Sequence, residues 1–395
     1  MKTSFAIAFV VLLAVAAWSQ TEQTLVTFTS SNGSQPWTGL IQDAKGNFYG
    51  ATNNGGANGT GVVYKLARNA KGKWKQTILY SFGAQPGTDG SEPQMPWLTM
   101  DKHGHLYGTT TGGGAHANGT VFELAPGKPE WKETILYSFT GGSDGGGPLG
   151  SVTFDSQGNL YGTANAGGNG SGTVFEMTPG KKGTWSYTVL HTFNSFTGDG
   201  QSPYRATLVL DSAGDVFGTT DGGGDQGYGT YWELSPGGGG TWTYTQLYVP
   251  PGGPASFPAA GVILDSEENL YAATGGGNVI EFIKAQGYAE QLLYQGNGNE
   301  GVYDTVTMDK SGNLFWSTQA GGGVGYSGTV QELSPNGQGG WTQSYVWAFP
   351  NNPASEGDQP FAGVLIDSSG NLYGTCGFGG GSEGEDKGTV WEITP

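Results

Sequence analysis

The chain has 395 residues, and its 16 lysines and arginines against 33 aspartates and glutamates give a formal net charge of −17 at pH 7. Nucleic-acid binding requires clustered cations that neutralise phosphates, so this acidic balance argues against DNA or RNA as a partner. A single cysteine, Cys376, excludes an internal disulfide.

The first 19 residues are predicted to form a secretory signal peptide. Basic Lys2 precedes an apolar run over residues 5–17, and small residues stand at Ala17 and Ser19. The apolar run is too short to span a membrane, and no later stretch is long and apolar enough. We therefore expect an exported protein, extracellular or periplasmic, whose mature chain starts near Gln20.

Seven repeats follow the predicted signal peptide. Their most regular feature is a turn related to Asp-x-x-Gly-Asn, whose aspartate recurs at positions 43, 101, 155, 211, 265, 309 and 367. Each repeat carries four short apolar, β-branched or aromatic runs separated by turn residues, as between Gly150 and Phe193. Four short strands per repeat, without helical periodicity, predict a propeller blade. The predicted fold class is an all-β, seven-bladed β-propeller with four-stranded antiparallel blades.

The two ends of the repeat region predict how the ring closes. Residues 24–28 match the fourth strand of a repeat, whereas the chain ends at residues 388–395 on a third strand. Pairing the first strand with the last blade would complete it and remove exposed sheet edges. We expect one domain over residues 20–395, with blades at about 29–82, 83–139, 140–193, 194–249, 250–294, 295–349, and 350–395 together with 24–28.

Several recurrent polar residues are predicted to serve the fold. In the turn at Asp155, the carboxylate is expected to accept hydrogen bonds from backbone amides two or three residues on, and Gly158 to supply a positive φ. Six third strands carry a glutamate, and the first blade has Lys65 instead. A carboxylate between blades is costly to bury, so we expect each glutamate to meet hydroxyls or backbone amides, or to reach the blade edge. These glutamates are residues 123, 176, 233, 281, 332 and 392. Cys376 is expected to be a small core residue.

The repeat motifs resemble those of a known family. Asp-Gly-x-x-Pro (residues 89–93, 144–148 and 199–203), Asp-x-x-Gly-Asn-Leu-Tyr-Gly-Thr and Gly-Thr-Val-Phe-Glu-Leu are similar to the GloVer tandem repeats of exported bacterial proteins, over residues 24–395. This resemblance implies a secreted or surface-displayed repeat protein and brings no catalytic residues. More distantly, the turn is similar to that of NHL-type, streptogramin-lyase and gluconolactonase-like propellers, which bears on the fold alone.

Candidate functional residues are those at which single blades depart from the repeat. The segment that leads into each inner strand, here called the lead-in segment, carries a large aromatic residue in several blades, near the predicted mouth of the central channel. We predict that Trp37, Tyr204, Tyr303 and Phe361 form apolar platforms there, with Arg205 and Asp304 as ligand-orienting groups. The alternative is that these aromatics only plug the channel.

Two functions remain open from the sequence. The first is a secreted, non-enzymatic propeller that binds carbohydrate, cell-wall material or a protein partner through its loop face and channel mouth. The second is a hydrolase, lyase or lactonase at the channel mouth, with Asp304, Arg205 or His116 as its reactive groups. Because no acid, base, nucleophile and metal set is visible, the sequence favours the first. We expect no catalytic residue, no cofactor and no metal site.

Overall fold

The computed structural model describes residues 20–394 except 86, 95–96, 259, 299, 323–325, 352–356 and 382–386. The predicted signal peptide, residues 1–19, lies outside the described residues. Within the described chain, strands form seven main sheets, and the helical elements are four 3-10 turns. These turns are Lys181–Gly183, Ser195–Thr197, Gly238–Gly240 and Lys284–Gln286.

The described strands follow the predicted order of blades. The chain begins with β1 (Thr21–Thr27). Blade 1 contains β2 (Ile41–Gln42), β3 (Phe48–Thr52), β4 (Val62–Arg68) and β5 (Trp74–Ser81). Blade 2 contains β6 (Gly90–Ser91), β7 (Thr99–Met100), β8 (Leu106–Thr110), β9 (Gly112–Gly113), β10 (Thr120–Ala125) and β11 (Lys132–Ser138). Blade 3 contains β12 (Thr153–Phe154), β13 (Leu160–Ala164), β14 (Thr173–Pro179) and β15 (Trp185–Thr192).

The second half of the ring repeats this pattern. Blade 4 contains β16 (Gly200–Gln201), β17 (Val209–Leu210), β18 (Val216–Thr220), β19 (Gly222–Gly223), β20 (Thr230–Pro236) and β21 (Trp242–Tyr248). Blade 5 contains β22 (Ile263–Leu264), β23 (Leu270–Ala273), β24 (Val279–Ile283) and β25 (Ala289–Tyr294). Blade 6 contains β26 (Thr307–Met308), β27 (Leu314–Thr318), β28 (Tyr326–Pro335) and β29 (Trp341–Pro350). Blade 7 contains β30 (Gly357–Pro360), β31 (Leu365–Ile366), β32 (Leu372–Gly379) and β33 (Thr389–Thr394).

The first strand closes the ring, as predicted. Strand β1 pairs antiparallel with β33, from Thr21 opposite Thr394 to Thr27 opposite Thr389. It therefore supplies the fourth strand of blade 7, where the predicted strand at 24–28 in fact begins at Thr21. The seven-bladed propeller with four-stranded antiparallel blades is confirmed.

The aspartate turns are structural, with one correction to the predicted bonding. Oδ1 of Asp155 accepts from the backbone N–H groups of Gln157 and Asn159, each at 2.8 Å, so the donors lie two and four residues on. The amide of Gly158, three residues on, donates instead to the carbonyl of Asp155, and its φ is +90°. The carboxylate thus fixes the hairpin that joins the inner strand to the second strand.

The glutamates of the third strands meet hydroxyl groups, as expected. In blade 7, the Tyr373 hydroxyl is 2.8 Å from Oε1 of Glu392 and 3.1 Å from Oδ2 of Asp367. Blade 3 repeats this contact between Tyr161 and Glu176 at 2.9 Å. Each tyrosine therefore connects the third strand to the aspartate turn, which satisfies a carboxylate that would otherwise be costly to bury.

Threonine pairs at the ends of the second and third strands mark the buried interior of several blades. The hydroxyls of Thr110 and Thr120 are 2.8 Å apart, and those of Thr318 and Thr329 are 2.7 Å apart. In blade 7 the first partner is Cys376, which is fully buried opposite Thr389. Cys376 is therefore a small core residue, as predicted. Burial raises the pKa of its thiol well above the usual value.

The glycine-rich loops are attached to the lead-in segments. Strand β6, in the lead-in of blade 2, pairs with β9 in the following glycine-rich loop, and β16 pairs with β19 in the same way in blade 4. At Gly113, with φ at +76°, an added side chain would lie 2.3 Å from the carbonyl oxygen of Asp89. Glycine is required there because the two segments approach so closely.

Candidate functional site at the channel mouth

A recurrent backbone kink positions the candidate aromatic residues. One residue of each lead-in segment has a positive φ, which is rare outside glycine, and it immediately precedes a proline or a valine. The residues are Gln35, Glu92, Gly147, Ser202, Phe257, Gly301 and Gln359, with φ between 53° and 63°. Trp37, Tyr204, Tyr303 and Phe361 each stand two residues after this kink. They therefore occupy equivalent positions around the ring.

The structure brings five of the six predicted site residues into one contiguous group, named here the channel-mouth cluster: Trp37, Tyr204, Arg205, Tyr303 and Phe361. The rings of Trp37 and Phe361 are 5.6 Å apart between centroids, and those of Phe361 and Tyr303 are stacked at 5.4 Å. The Arg205 guanidinium lies 4.4 Å from the Tyr303 ring and 4.5 Å from the Tyr204 ring. The four aromatic side chains are half-buried, so part of each remains open to solvent.

Arg205 lies in a lead-in segment that is one residue longer in blade 4 than in blade 7. Leu208 comes six residues after Ser202, whereas Val364, at the equivalent position of blade 7, comes five residues after Gln359. Arg205 absorbs the extra residue in a left-handed conformation, with φ at +55°. A strained backbone at a non-glycine residue persists only where its surroundings hold it, and such residues concentrate at functional sites.

The guanidinium of Arg205 is incompletely paired. Its side chain is 9% exposed, and Nη2 donates to the Tyr204 hydroxyl at 3.1 Å. Nε and Nη1 are buried and have no hydrogen-bond acceptor among the described residues. The charges of Asp304 and Asp221 face it at longer range: burial raises the pKa of each carboxyl, and Arg205 opposes that rise. The cluster therefore carries a cation held mainly by two tyrosine faces.

Asp304, the sixth predicted residue, is placed differently from the prediction. It is buried at 8% exposure, and its oxygens accept from the N–H of Gly363 at 2.7 Å and that of Thr305 at 2.8 Å. The Trp97 indole N–H donates to the same carboxylate at 2.6 Å. Burial raises the pKa of Asp304, while these donors lower it. Asp304 is therefore an anchor beneath the cluster rather than a group displayed at the mouth.

Trp97, which sequence reasoning did not select, crosses the channel. It comes from blade 2, yet its partner Asp304 belongs to blade 6, which is not adjacent in the ring. An added side chain at Gly39 would lie 2.2 Å from the Trp97 indole, and one at Gly363 would lie 2.8 Å from it. Trp97 therefore lies against blades 1 and 7 as well. Trp97 is half-buried, as are the four aromatic rings of the channel-mouth cluster.

The groups of the enzymatic alternative are not assembled at this site. His116 is exposed in the glycine-rich loop of blade 2, Arg205 is stacked between tyrosines, and the described partners of Asp304 are N–H donors. Within the described ranges, no group of three or more histidine, cysteine, aspartate or glutamate residues is arranged to hold a metal ion. In the same part of the chain, no helix has the length and apolarity that a bilayer crossing requires.

One protein-family profile matches the chain. The Gloeobacter/Verrucomicrobia repeat matches residues 11–207 and 132–282. The sequence of this chain matches no curated protein.

Solved structures show the same architecture at low sequence identity. A putative 6-phosphogluconolactonase from Bacteroides uniformis is 16% identical, with a TM-score of 0.56 over 86% of this chain and 89% of that chain. PorZ, a surface component of the type-IX secretion system of Porphyromonas gingivalis, is 18% identical, with a TM-score of 0.57 over 93% and 47%. The extracellular domain of a putative hybrid two-component system from B. thetaiotaomicron is 15% identical, with a TM-score of 0.55 over 95% and 41%. The chain spans less than half of the latter two proteins. At such identities the likeness concerns the fold alone.

Proposed function

We propose that this propeller, which belongs to the Gloeobacter/Verrucomicrobia repeat family, is an exported, non-enzymatic protein that binds carbohydrate, including cell-wall material, at its channel-mouth cluster. The observation that carries the proposal is the run of half-buried rings Trp37, Phe361 and Tyr303, which continues into Arg205. Gln94 and Leu149 stand at the same position in blades 2 and 3, so the ring itself does not require an aromatic residue there. Export rests on the predicted signal peptide and on the family resemblance.

Flat aromatic faces suit the apolar faces of sugar rings, and a fixed guanidinium suits their oxygen atoms. Each aromatic contact contributes roughly 0.5–1.5 kcal/mol and each hydrogen bond a similar amount. A few such contacts give affinities in the millimolar to micromolar range. An enzyme has to lower a barrier by about 8 kcal/mol or more, which requires positioned reactive groups. The stacked rings and the enclosed Asp304 carboxylate support binding over catalysis.

The proposal is tested on a glycan array, followed by calorimetry with the best-bound glycan. Trp37→Ala and Tyr303→Ala are each expected to weaken binding about tenfold, which corresponds to about 1.4 kcal/mol. Tyr345→Ala is the matched control, because Tyr345 is 54% exposed on β29, an outer edge strand remote from the channel. Near-ultraviolet circular dichroism of each variant checks the fold. Equal binding by the wild type and both cluster variants would contradict the proposal.

A protein partner is the second candidate, and one side chain favours it. Phe196 is 91% exposed in the lead-in loop of blade 4, on the face that carries the channel mouth. An exposed aromatic side chain of this kind is typical of protein interfaces. If carbohydrate is the ligand of the cluster, Phe196→Ala leaves glycan affinity unchanged. A loss of glycan affinity in this variant would show that the ligand extends beyond the cluster.

A further inference from the structure

Blade 1 carries a charge opposite to that of the rest of the chain. Residues 29–82 contain six lysines and arginines and one acidic residue, a net charge of +5. The remaining residues contain 10 lysines and arginines and 32 aspartates and glutamates, a net charge of −22. The six cations, named here the blade-1 basic patch, are Lys45, Lys65, Arg68, Lys71, Lys73 and Lys75. An anionic partner is repelled by most of the molecule and attracted to this blade.

Two hairpin turns gather the cations at one end of the blade. The turn at 43–47 joins β2 to β3, and the turn at 69–73 joins β4 to β5, so both turns lie at the same end of the sheet. The glycine-rich loop joins β3 to β4 and therefore lies at the opposite end, with the channel mouth. The exposed cations are Lys45 in the first turn and Arg68, Lys71, Lys73 and Lys75 in and around the second.

The sixth cation, Lys65, marks a departure from the repeat. It pairs with Tyr49 in the register in which Glu123 pairs with Tyr107 in blade 2. The Lys65 ammonium lies 5.3 Å from the centre of the Tyr49 ring, whose hydroxyl donates to Asp43 at 3.0 Å. Blade 1 thus folds with a cation where the other six blades carry a glutamate. The positive charge is therefore a property of this blade rather than a requirement of the ring.

The patch keeps most of its charge available to a partner. Oδ1 of Asp43, the acidic residue of blade 1, accepts from the backbone N–H groups of Lys45 and Asn47, each at 2.9 Å. Arg68 is 3.7 Å from Oε1 of Glu392, yet its side chain is 54% exposed. Among the described residues, no lysine of the patch forms an ion pair.

A cleft between blades 1 and 7 adjoins the patch. Its volume is about 310 Å³, and its walls include Lys45, Arg68 and Trp74 together with the side-chain amides of Gln42 and Asn47. The Arg68 guanidinium lies 4.6 Å from the centre of the Trp74 ring, which holds the cation at the cleft. Small-ligand pockets range from about 300 to 1,000 Å³, so this cleft suits a small part of a larger ligand.

We propose that the blade-1 basic patch binds an acidic polysaccharide. Carboxylates spaced along such a chain match the row of exposed lysines, and a guanidinium binds a carboxylate through paired N–H donors. The amides that line the cleft both donate to and accept from sugar hydroxyls. One sugar unit therefore enters the cleft beside Arg68 while its neighbours lie along the outer turn.

Two other polyanionic partners fit this surface less well. Anchoring to an anionic bilayer uses exposed apolar side chains beside the cations, whereas the exposed large apolar side chain of blade 1 is Ile78, at 38% on the outer strand. Single-stranded nucleic acid stacks its bases on open aromatic faces. The Trp74 ring lies between the Arg68 guanidinium and the Phe48 ring, 5.2 Å away, and is not open in this way.

The experiment titrates the wild-type protein with polygalacturonate, a carboxylated polysaccharide, and with dextran, a neutral one, by calorimetry. The wild type is expected to bind polygalacturonate but not dextran, with an affinity that falls as salt rises from about 50 to 200 mM. Lys71→Gln/Lys73→Gln is expected to weaken binding about tenfold at the lower salt and to make the salt dependence shallower, because fewer counterions are exchanged. Lys65→Glu, which installs the residue of the other blades, is expected to act in the same direction.

Lys181→Gln/Lys182→Gln is the matched control. Both residues are exposed in the turn before the outer strand of blade 3, so the charge change and the type of turn are the same. This variant is expected to bind polygalacturonate as the wild type does, and urea denaturation checks that every variant folds. The channel-mouth residues are unchanged throughout, so the glycan-binding proposal does not enter this test.

Two results would overturn the assignment of the patch. One is equal affinity of the wild type and Lys71→Gln/Lys73→Gln for polygalacturonate, and the other is an equal loss in both double variants. Tighter binding of duplex DNA or of phosphatidylglycerol vesicles than of polygalacturonate would contradict an acidic polysaccharide as the partner.

Discussion

The contact between Trp97 and Asp304 predicts a strong energetic coupling across the channel. Trp97→Phe keeps a six-membered aromatic ring but removes the rest of the indole, including the N–H donor that is 2.6 Å from a buried carboxylate. A hydrogen bond to a charged group contributes about 1.5–3 kcal/mol, and an unsatisfied buried charge costs at least as much. We expect Trp97→Phe to lower the free energy of unfolding by about 2–3 kcal/mol.

Asp304→Ala provides the second side of a double-mutant cycle. The lead-in segments of blades 4, 5 and 7 have alanine at the equivalent position, for example Ala206 and Ala362, so the backbone tolerates it. In the Asp304→Ala background, Trp97→Phe is expected to cost less than about 1 kcal/mol, because no carboxylate is left without its donor. Equilibrium urea unfolding, followed by far-ultraviolet circular dichroism, measures all four proteins.

A control separates this effect from the general loss of an indole. The Trp74 indole N–H is buried but has no acceptor among the described residues. Trp74→Phe therefore tests the change of ring alone, and its cost should be equal in both backgrounds. If Trp97→Phe cost the same with and without Asp304, the contact across the channel would not carry the energy assigned to it.

Three further predictions concern other parts of the ring. Cys376→Thr is expected to stabilise the protein by about 1 kcal/mol in urea unfolding, because it restores the hydroxyl pair that other blades form and gives buried Thr389 a partner; a loss of stability would contradict this. Tyr373→Phe should cost about 1–3 kcal/mol, since Glu392 then loses its hydroxyl donor and keeps the ion pair with Arg68, and an unchanged melting curve would argue against that role. Glu133 has a raised pKa, so its contribution to stability is present below pH 4.5 and is lost as the pH rises through about 8. Glu133→Gln should accordingly reduce the fall in stability over that range, by on the order of 1 kcal/mol after solvent screening, and an identical pH profile would refute it.

The fold was predictable because each blade repeats the same local chemistry. The aspartate turn at Asp155 and the tyrosine that follows it use hydrogen bonds within a few residues and one adjacent strand, so the sequence shows them directly. Ring closure was also predictable, because residues 24–28 match the outer strand of a repeat and residues 388–395 match a third strand. The donor two residues after the aspartate was predicted correctly. The second donor lies four residues on rather than three, and only the actual backbone path shows this.

The candidate site was only partly predictable. Trp37 and Phe361 stand at equal offsets from a repeated kink, so their proximity follows from ring symmetry. Trp97 does not: its contact with Asp304 spans non-adjacent blades and depends on the width of the channel and on the absence of side chains at Gly39. Nor did the sequence indicate the contact between Asp89 and Glu133, because the lead-in segment and the outer strand of blade 2 meet only in the folded blade.

The closed ring underlies every site described, and a cross-link between its two ends tests it directly. Thr21 and Thr394 are exposed partners in the β1–β33 ladder, and paired positions of this kind lie within disulfide reach. Thr21→Cys/Thr394→Cys is predicted to form a disulfide on mild oxidation, with native Cys376 protected by burial, and to gain about 2–4 kcal/mol of stability. Thr27→Cys/Thr394→Cys, offset by about 17 Å along the ladder, should not cross-link. Free thiols in the first variant, or equal cross-linking in both, would contradict the closed ring.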